Sequence, residues 1–298
     1  MKKQIVALAV TALAMGSAFA QANDTLAKIK ASGSIALGVR DSSALSFTLG
    51  NGKYTGFHTE MAERIVDDLS KDAGKKLAVN YVPVTSQNRI PLVQNGTVDL
   101  ECGSTTNNAT RQKDVDFAHT TYVEVVRIAV KANSGIKDLK DLNGKTIATT
   151  TGTTSVQTLR KNERAQGIDF KEVMGKDHAD SFLLLESGRA DAFVMDGSIL
   201  AANISKAKSP KDFAIVGPEL SVEPIACMVR KGDAAFLKAV NASIERQIKD
   251  GSLAKLYDKW FMQPIPPTNT AMNLPLSDAT KAAWATPNNK PMEDYAKK

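Results

Sequence analysis

The sequence predicts an α/β fold of two lobes, each an open, mostly parallel sheet with helices on both faces, joined by two hinge segments. Three observations predict it. Short apolar runs suited to buried parallel strands alternate with amphipathic helical segments, the β-α-β pattern. The 298 residues are too many for one small core and suit two lobes near the usual ~100–150 residues each. Two long β-prone segments, residues 122–130 and 223–229, read as crossings from the first lobe to the second and back.

The leader comes first. Lys2 and Lys3 precede an apolar run from Ile5 to Met15, then small-residue sites at Ala18-Phe19-Ala20 and Ala20-Gln21-Ala22. That is the layout of a secretory signal peptide over residues 1–22, and the run is too short to span a bilayer. No Cys follows the cleavage site, which argues against a lipid anchor. A periplasmic protein is expected. Removing Lys2 and Lys3 takes the formal charge from +6 to +4. With 6% aromatic residues and no basic block, nucleic acid is not expected as a partner.

The first lobe is expected over residues 23–124 and 226–261. A short amphipathic helix (23–31) leads to the strand Ser34–Arg40. A helix from His58 to Lys71 carries Met61, Ile65 and Leu69 at i, i+4, i+8, and Leu77–Val84 is the second strand. A short helix stopped by Asn95-Gly96 then precedes the buried strand VDLEC and a polar loop. The second lobe is expected over residues 125–225. It holds the strand TIATT, the loop Thr151–Ser155, the helix SVQTLRKNERAQG, the strand DFKEVM, a helix from about Ala179 to Ser187 and the strand ADAFVMD. Helices over 236–250 and 252–261 complete the first lobe. Residues 262–298, rich in Pro and Asn with one short helix at 278–284, read as a C-terminal extension packed on the surface.

Chemistry concentrates between Val84 and Arg111. Arg40, Arg89 and Arg111 fall at strand or helix edges of the first lobe, where an open parallel sheet forms its ligand crevice. A guanidinium suits a carboxylate because its fork of donors matches two oxygens. The bland reading of any one arginine is a solvated surface residue; three at cleft edges argue for an anion site. Asp196 ends an apolar strand, where it suits either a ligand ammonium or an internal salt bridge. Residues 151–155 lie between a strand and a helix start, a place for an anion but also for ordinary N-caps. Aligning LVQNGTVD with LLESGRAD puts Ser86 opposite His178 and Ser104 opposite Asp196, so each lobe offers one polar residue near a helix start and one at a strand end.

Cys102 and Cys227 allow one connectivity, and an oxidising compartment would close it as a structural disulfide; two buried free thiols are the alternative. His58, His119 and His178 are scattered without zinc-site spacing, so no metal is expected. The chain has no G-x-S-x-G elbow, and neither a G-x-G-x-x-G fingerprint nor a P-loop, so neither nucleophilic catalysis nor a nucleotide cofactor is indicated.

These residues resemble the two-lobed type II periplasmic solute-binding proteins of ABC importers for polar amino acids. RIPLVQNGTVDLECGS with Arg111 and DFAHTTY is similar to that family's first-lobe signature, and DLKDLNGKTIATTTGTTS with the Gly188–Asp196 run to its second. Asn108-Ala109-Thr110-Arg111 departs from the usual Thr-x-Glu-Arg but keeps the arginine. TSQNRIP, ECGSTTN, KDHADSF, LESGRA and the PIPP tail are similar to the glutamate/aspartate-binding branch. The resemblance implies that Arg111 clamps a ligand α-carboxylate, helped by Ser104, Thr106, Thr151 and the amides near Thr154. It implies that Asp196 takes the α-ammonium and that Arg40, Ser86, Arg89 and His178 hold a side-chain carboxylate. It implies no cofactor, a membrane-embedded ABC permease as partner, and a monomer. An enzyme on the same fold, such as a dehydratase acting on a carboxylated substrate, is the alternative; a receptor ectodomain is less favoured.

Overall fold

The computed structural model describes residues 24–266 and 269–295; the expected signal peptide lies outside the described residues. One eight-stranded sheet runs through the molecule in the order β4-β1-β5-β10-β6-β9-β7-β8. Its strands are β1 (Ser34–Val39), β4 (Ala78–Pro83), β5 (Leu100–Glu101), β6 (Val115–Lys131), β7 (Thr146–Thr150), β8 (Lys171–Gly175), β9 (Ala192–Asp196) and β10 (Phe213–Arg230); β2 (Phe47–Gly50) and β3 (Lys53–Thr55) form a separate hairpin. At the two flanks the pairings are parallel, β4–β1–β5 and β9–β7–β8. In the middle they are antiparallel, because β6 and β10 run the other way against each other and against their neighbours.

The two middle strands explain the architecture. β6 has 17 residues and β10 has 18, each long enough to serve both halves of the sheet. The expected crossings at 122–130 and 223–229 lie within these strands, in the C-terminal half of each. Their pairing breaks register between Val216 and Ser221 and again near Ile225, so the ladder is irregular where the halves meet.

Each half has its own core. Around β1 it collects Leu37, Phe57, Met61 and Ile65 with Ile225, Phe236, Tyr257 and Phe261 from the C-terminal part. Helix Phe57–Ala73 presents its apolar stripe here, and Gly74, with φ 67°, ends it in the left-handed conformation that glycine adopts without strain. In the other half, period-2 alternation sorts side chains to two faces: Val126, Ile128, Val130 and Val194 pack with Leu159 of helix Thr154–Gln166. Ala129, Phe193 and Met195 pack with Phe182 and Ile199 from helices His178–Glu186 and Gly197–Lys206. That last helix follows directly on Asp196 and was not expected.

Cys102 and Cys227 form a disulfide, tying the end of β5 to β10. The C-terminal segment wraps the first half. Helix Asp278–Ala285 buries Trp284, whose Nε1 donates to Thr121 O at 2.9 Å. Beyond it the chain reaches the loop before Arg111. There Asn107, fully buried, has its backbone N–H on Pro224 O (2.8 Å), its carbonyl accepting from Met292 N (2.9 Å), and its amide Nδ2 on Asn289 O (2.8 Å). No described helix is long and apolar enough to cross a membrane.

Candidate ligand-binding site

Three guanidiniums are buried where the two halves meet. Arg40, just past β1, is 0% exposed; Arg89, opening helix Arg89–Gln94, is 2%; Arg111, on a 3-10 turn, is 9%. Burial and mutual repulsion hold the Arg89 pKa well below the usual arginine range, with Arg111 and Arg40 as the repelling charges; Arg111 is shifted the same way, chiefly by burial. Arg89 Nη1 donates to Ser104 O (3.1 Å), and Arg111 Nη1 to Thr106 O (2.8 Å). The remaining donors are the informative ones. Arg40 Nε and Nη1 and Arg89 Nε are buried without a partner, as are Ser86 Oγ and Asp196 Oδ1. A buried polar group without a partner is costly, and a charged one more so.

The opposite half of the sheet supplies the closing contacts. Arg111 Nη2 donates to Gly152 O at 3.2 Å, and Thr106 Oγ1 lies 3.3 Å from Thr154 Oγ1. Arg40 Nη2 reaches Asp177 Oδ1 at 2.9 Å and His178 Nε2 at 3.0 Å. Because the guanidinium can only donate, His178 Nε2 accepts, and the imidazole proton sits on Nδ1, donating to Thr150 Oγ1 at 3.1 Å. Burial, with Arg40 and Arg89 beside it, pushes the His178 pKa well below its ordinary value, so the ring is neutral. Gly152 comes close against the Gln87 backbone. With φ 80°, a Cβ there would stand 2.8 Å from Gln87 Cα and 2.9 Å from Gln87 N.

The structure thus brings together Arg40, Ser86, Arg89, Ser104, Thr106, Arg111, Thr154, His178 and Asp196, all buried. Thr151 is set apart: it is half-buried, and both its N–H (3.1 Å) and its hydroxyl (3.2 Å) go to Gly175 O at the rim. Helix Thr154–Gln166 opens without a side-chain cap, so no side chain claims the N–H groups of its first turn.

Sequence reasoning missed the buried carboxylates. Glu101 and Glu223 are 0% exposed and Glu124 is 2%. Glu101 accepts from Thr105 Oγ1 at 2.7 Å and offsets the charge of Arg89 and Arg111. Glu223 Oε2 accepts from Thr106 Oγ1 and from Thr154 Oγ1 at 2.6 Å, one hydroxyl from each half. Glu124 accepts from the Ser198 hydroxyl and from Val125 N at 3.0 Å. Burial pushes the Asp196 carboxyl well above the usual carboxylate range, and Glu124 and Glu223 push it further; Arg89 and Arg111 offset part of this. The three arginines thus share this region with four buried acids, Glu101, Glu124, Glu223 and Asp196. The signal available in sequence was a lone Glu inside an otherwise apolar strand, at YVEVV and again at VEPIA. Among the described residues no group of His, Cys, Asp or Glu is arranged to hold a metal ion.

Residues 35–263 match the model of the bacterial extracellular solute-binding proteins, family 3. The chain is 46% identical over 272 residues to an L-glutamate/L-aspartate-binding protein of Pseudomonas aeruginosa, covering 90% of each chain. It is 43% identical over 293 residues to the glutamate/aspartate import solute-binding protein of Escherichia coli, covering 95% of this chain and 97% of that one. Among solved structures, an ancestral arginine-binding protein bound to arginine superimposes with a TM-score of 0.69 at 32% identity, covering 77% of this chain and 98% of that one. An ancestral amino acid-binding protein described as a precursor of cyclohexadienyl dehydratase gives a TM-score of 0.67 at 31% identity, covering 80% and 99%. The type II periplasmic binding protein fold that the sequence predicts is the fold observed. The chain belongs to family 3 of the bacterial extracellular solute-binding proteins.

Proposed function

We propose that this protein binds the acidic L-amino acids glutamate and aspartate between two lobes, and delivers them to an ABC permease by hinge closure. The observation that carries the reading is the set of unpartnered buried donors on Arg40 and Arg89 beside the unpartnered Asp196 carboxyl oxygen. An acidic amino acid offers what that set lacks: two carboxylates for the guanidiniums and an ammonium for Asp196. The relatives at 43–46% identity carry the same ligand pair in their names.

In this reading Arg111 takes the α-carboxylate, with Ser104 and the first-turn N–H groups at Thr154. Arg40, Ser86 and Arg89 take the side-chain carboxylate, and His178 acts through Arg40 by accepting its Nη2 proton. Thr106 moves to the ammonium side, because its hydroxyl proton is already given to Glu223. The lobes divide at residues 23–124 and 226–261 against 125–225, with β6 and β10 as the hinge. Closure buries the charges and excludes water, which strengthens each contact. The neutral His178 has its one proton on Thr150 and its Nε2 lone pair on Arg40, so neither is offered to a substrate, which favours the binding reading over an enzyme. Export through a cleaved signal peptide, a periplasmic location and a monomeric state belong to the same proposal. Mass spectrometry of the small molecule released from protein purified without refolding tests it: unmodified glutamate or aspartate is expected, and a neutral or basic amino acid would overturn it.

A further inference from the structure

Glu223 is fully buried on the return strand β10, yet it touches both halves of the site. Its Oε2 accepts the hydroxyl protons of Thr106, from the loop after β5, and of Thr154, from the first turn of helix Thr154–Gln166; its Oε1 accepts from Ser221 Oγ at 2.9 Å. A threonine hydroxyl has one proton and two lone pairs. With both protons committed to one carboxylate oxygen, neither hydroxyl can donate to anything else. Toward a ligand, Thr106 Oγ1 and Thr154 Oγ1 present lone pairs only.

We propose that Glu223 is a specificity-determining positioning residue: by fixing the threonine hydroxyls as acceptors, it makes the site select an α-ammonium over a keto oxygen on the same carbon. The inference rests on the amino-acid reading above but concerns the α-substituent, not the ligand side chain. A keto oxygen brought against the two threonine hydroxyls would meet lone pairs only and leave both acceptors unpaired. The periplasmic pool of carboxylated metabolites that satisfy Arg40, Arg89 and Arg111 equally well would be sorted by this feature, since the guanidiniums do not distinguish them.

Titration calorimetry with L-glutamate and with 2-oxoglutarate tests it, by competition where the direct heat is too small. The two share both carboxylates and differ at the α-substituent. In Glu223→Leu the side chain accepts no hydrogen bond, so both threonine hydroxyls are released to donate toward the ligand. Glutamate affinity is expected to fall about tenfold or more while 2-oxoglutarate changes less than about threefold, so the preference narrows by at least about threefold. Equal losses for both ligands, the mark of a merely structural role, would overturn the proposal, as would no change in either. If Glu223→Leu is not recovered folded, Thr106→Val is read the same way, and an unchanged preference there overturns it. Wild-type protein is the control for the reading beneath: if it binds neither acidic amino acid, that reading falls. The Glu223 test is then made with the amino acid it does bind and the matching 2-oxo acid.

Discussion

Glu124 on β6 lies directly opposite Glu223 on β10, two buried carboxyl groups on one face of the hinge strands. Directly opposed side chains in an antiparallel pair have Cβ atoms about 4.5–5.5 Å apart, and like charges there repel. Asp196 on β9 adds a third acid, Ser198 supplies hydrogen bonds, and Tyr122 and Tyr257 face the same group. Burial, reinforced by Glu223, raises the Glu124 pKa from 4.5 to about 7.

The sign of the pH dependence follows. With its folded pKa above the unfolded one, Glu124 contributes stability that is fully present below pH 4.5 and lost as pH rises through about 7. Glu124→Gln is therefore expected to be more stable than wild type at pH 8, by about 2–3 kcal/mol, with the gap closing by pH 4.5. Urea titrations at the two pH values measure it; a gap that widens toward low pH would contradict the assignment.

Arg89→Ala should weaken glutamate binding by about 2–5 kcal/mol, much of it from leaving a buried carboxylate without its partner. Glutamine should bind the wild-type protein far more weakly than glutamate, because an amide gives the guanidiniums no counter-charge. Calorimetry reads both, and wild-type affinity in the variant would sink the assignment of Arg89 to the ligand side chain.

Gly152→Ala probes closure without touching a charge. The left-handed φ costs a residue with a Cβ about 1 kcal/mol wherever the loop sits. The contact with the Gln87 backbone arises only when the halves are together. A loss of affinity of about tenfold or more is expected, with a thermal midpoint in the absence of ligand lowered only slightly. An unchanged affinity would mean that the loop gives way easily.

Ending the chain at residue 286 removes the strands of contact on Asn107 but keeps Trp284 in the core. Ala109 N also loses its bond to Glu293 Oε2 at 3.1 Å. With the amide and carbonyl of Asn107 unpaired, the turn that carries Arg111 should loosen, lowering affinity by about 1–3 kcal/mol. Near-native far-UV circular dichroism with reduced binding is the expected pair of results; full binding would show that the tail only decorates the surface.

Much of this fold is legible residue by residue. Apolar strands such as SIALG and AFVMD announce themselves, Gly74 and Gly167 end helices, and Arg40, Arg89 and Arg111 stand out as cations at element edges. What escaped depends on contacts distant in sequence. The helix Gly197–Lys206 starts directly on the end of a strand with Gly197 and Ser198, neither a strong helix former, so no loop and no propensity marks its start. β6 and β10 were read as segments of nine and seven residues because their polar stretches, such as His119–Thr121, break the apolar pattern; their partners across the ladder keep them extended. Glu124 and Glu223 look like stray acids in strands until register places them opposite one another, and Glu101 until the following loop brings Thr105 onto it.

The near-complete burial of Arg40, Arg89, His178 and Asp196 has a kinetic meaning. A molecule held among groups so deeply buried would have to wait for Gly152 to part from Gln87 before leaving. Its exchange can then be no faster than the parting of the halves, however weak its own contacts. Residence time becomes a property of the hinge, and a transporter that pries the halves apart would set the pace of unloading.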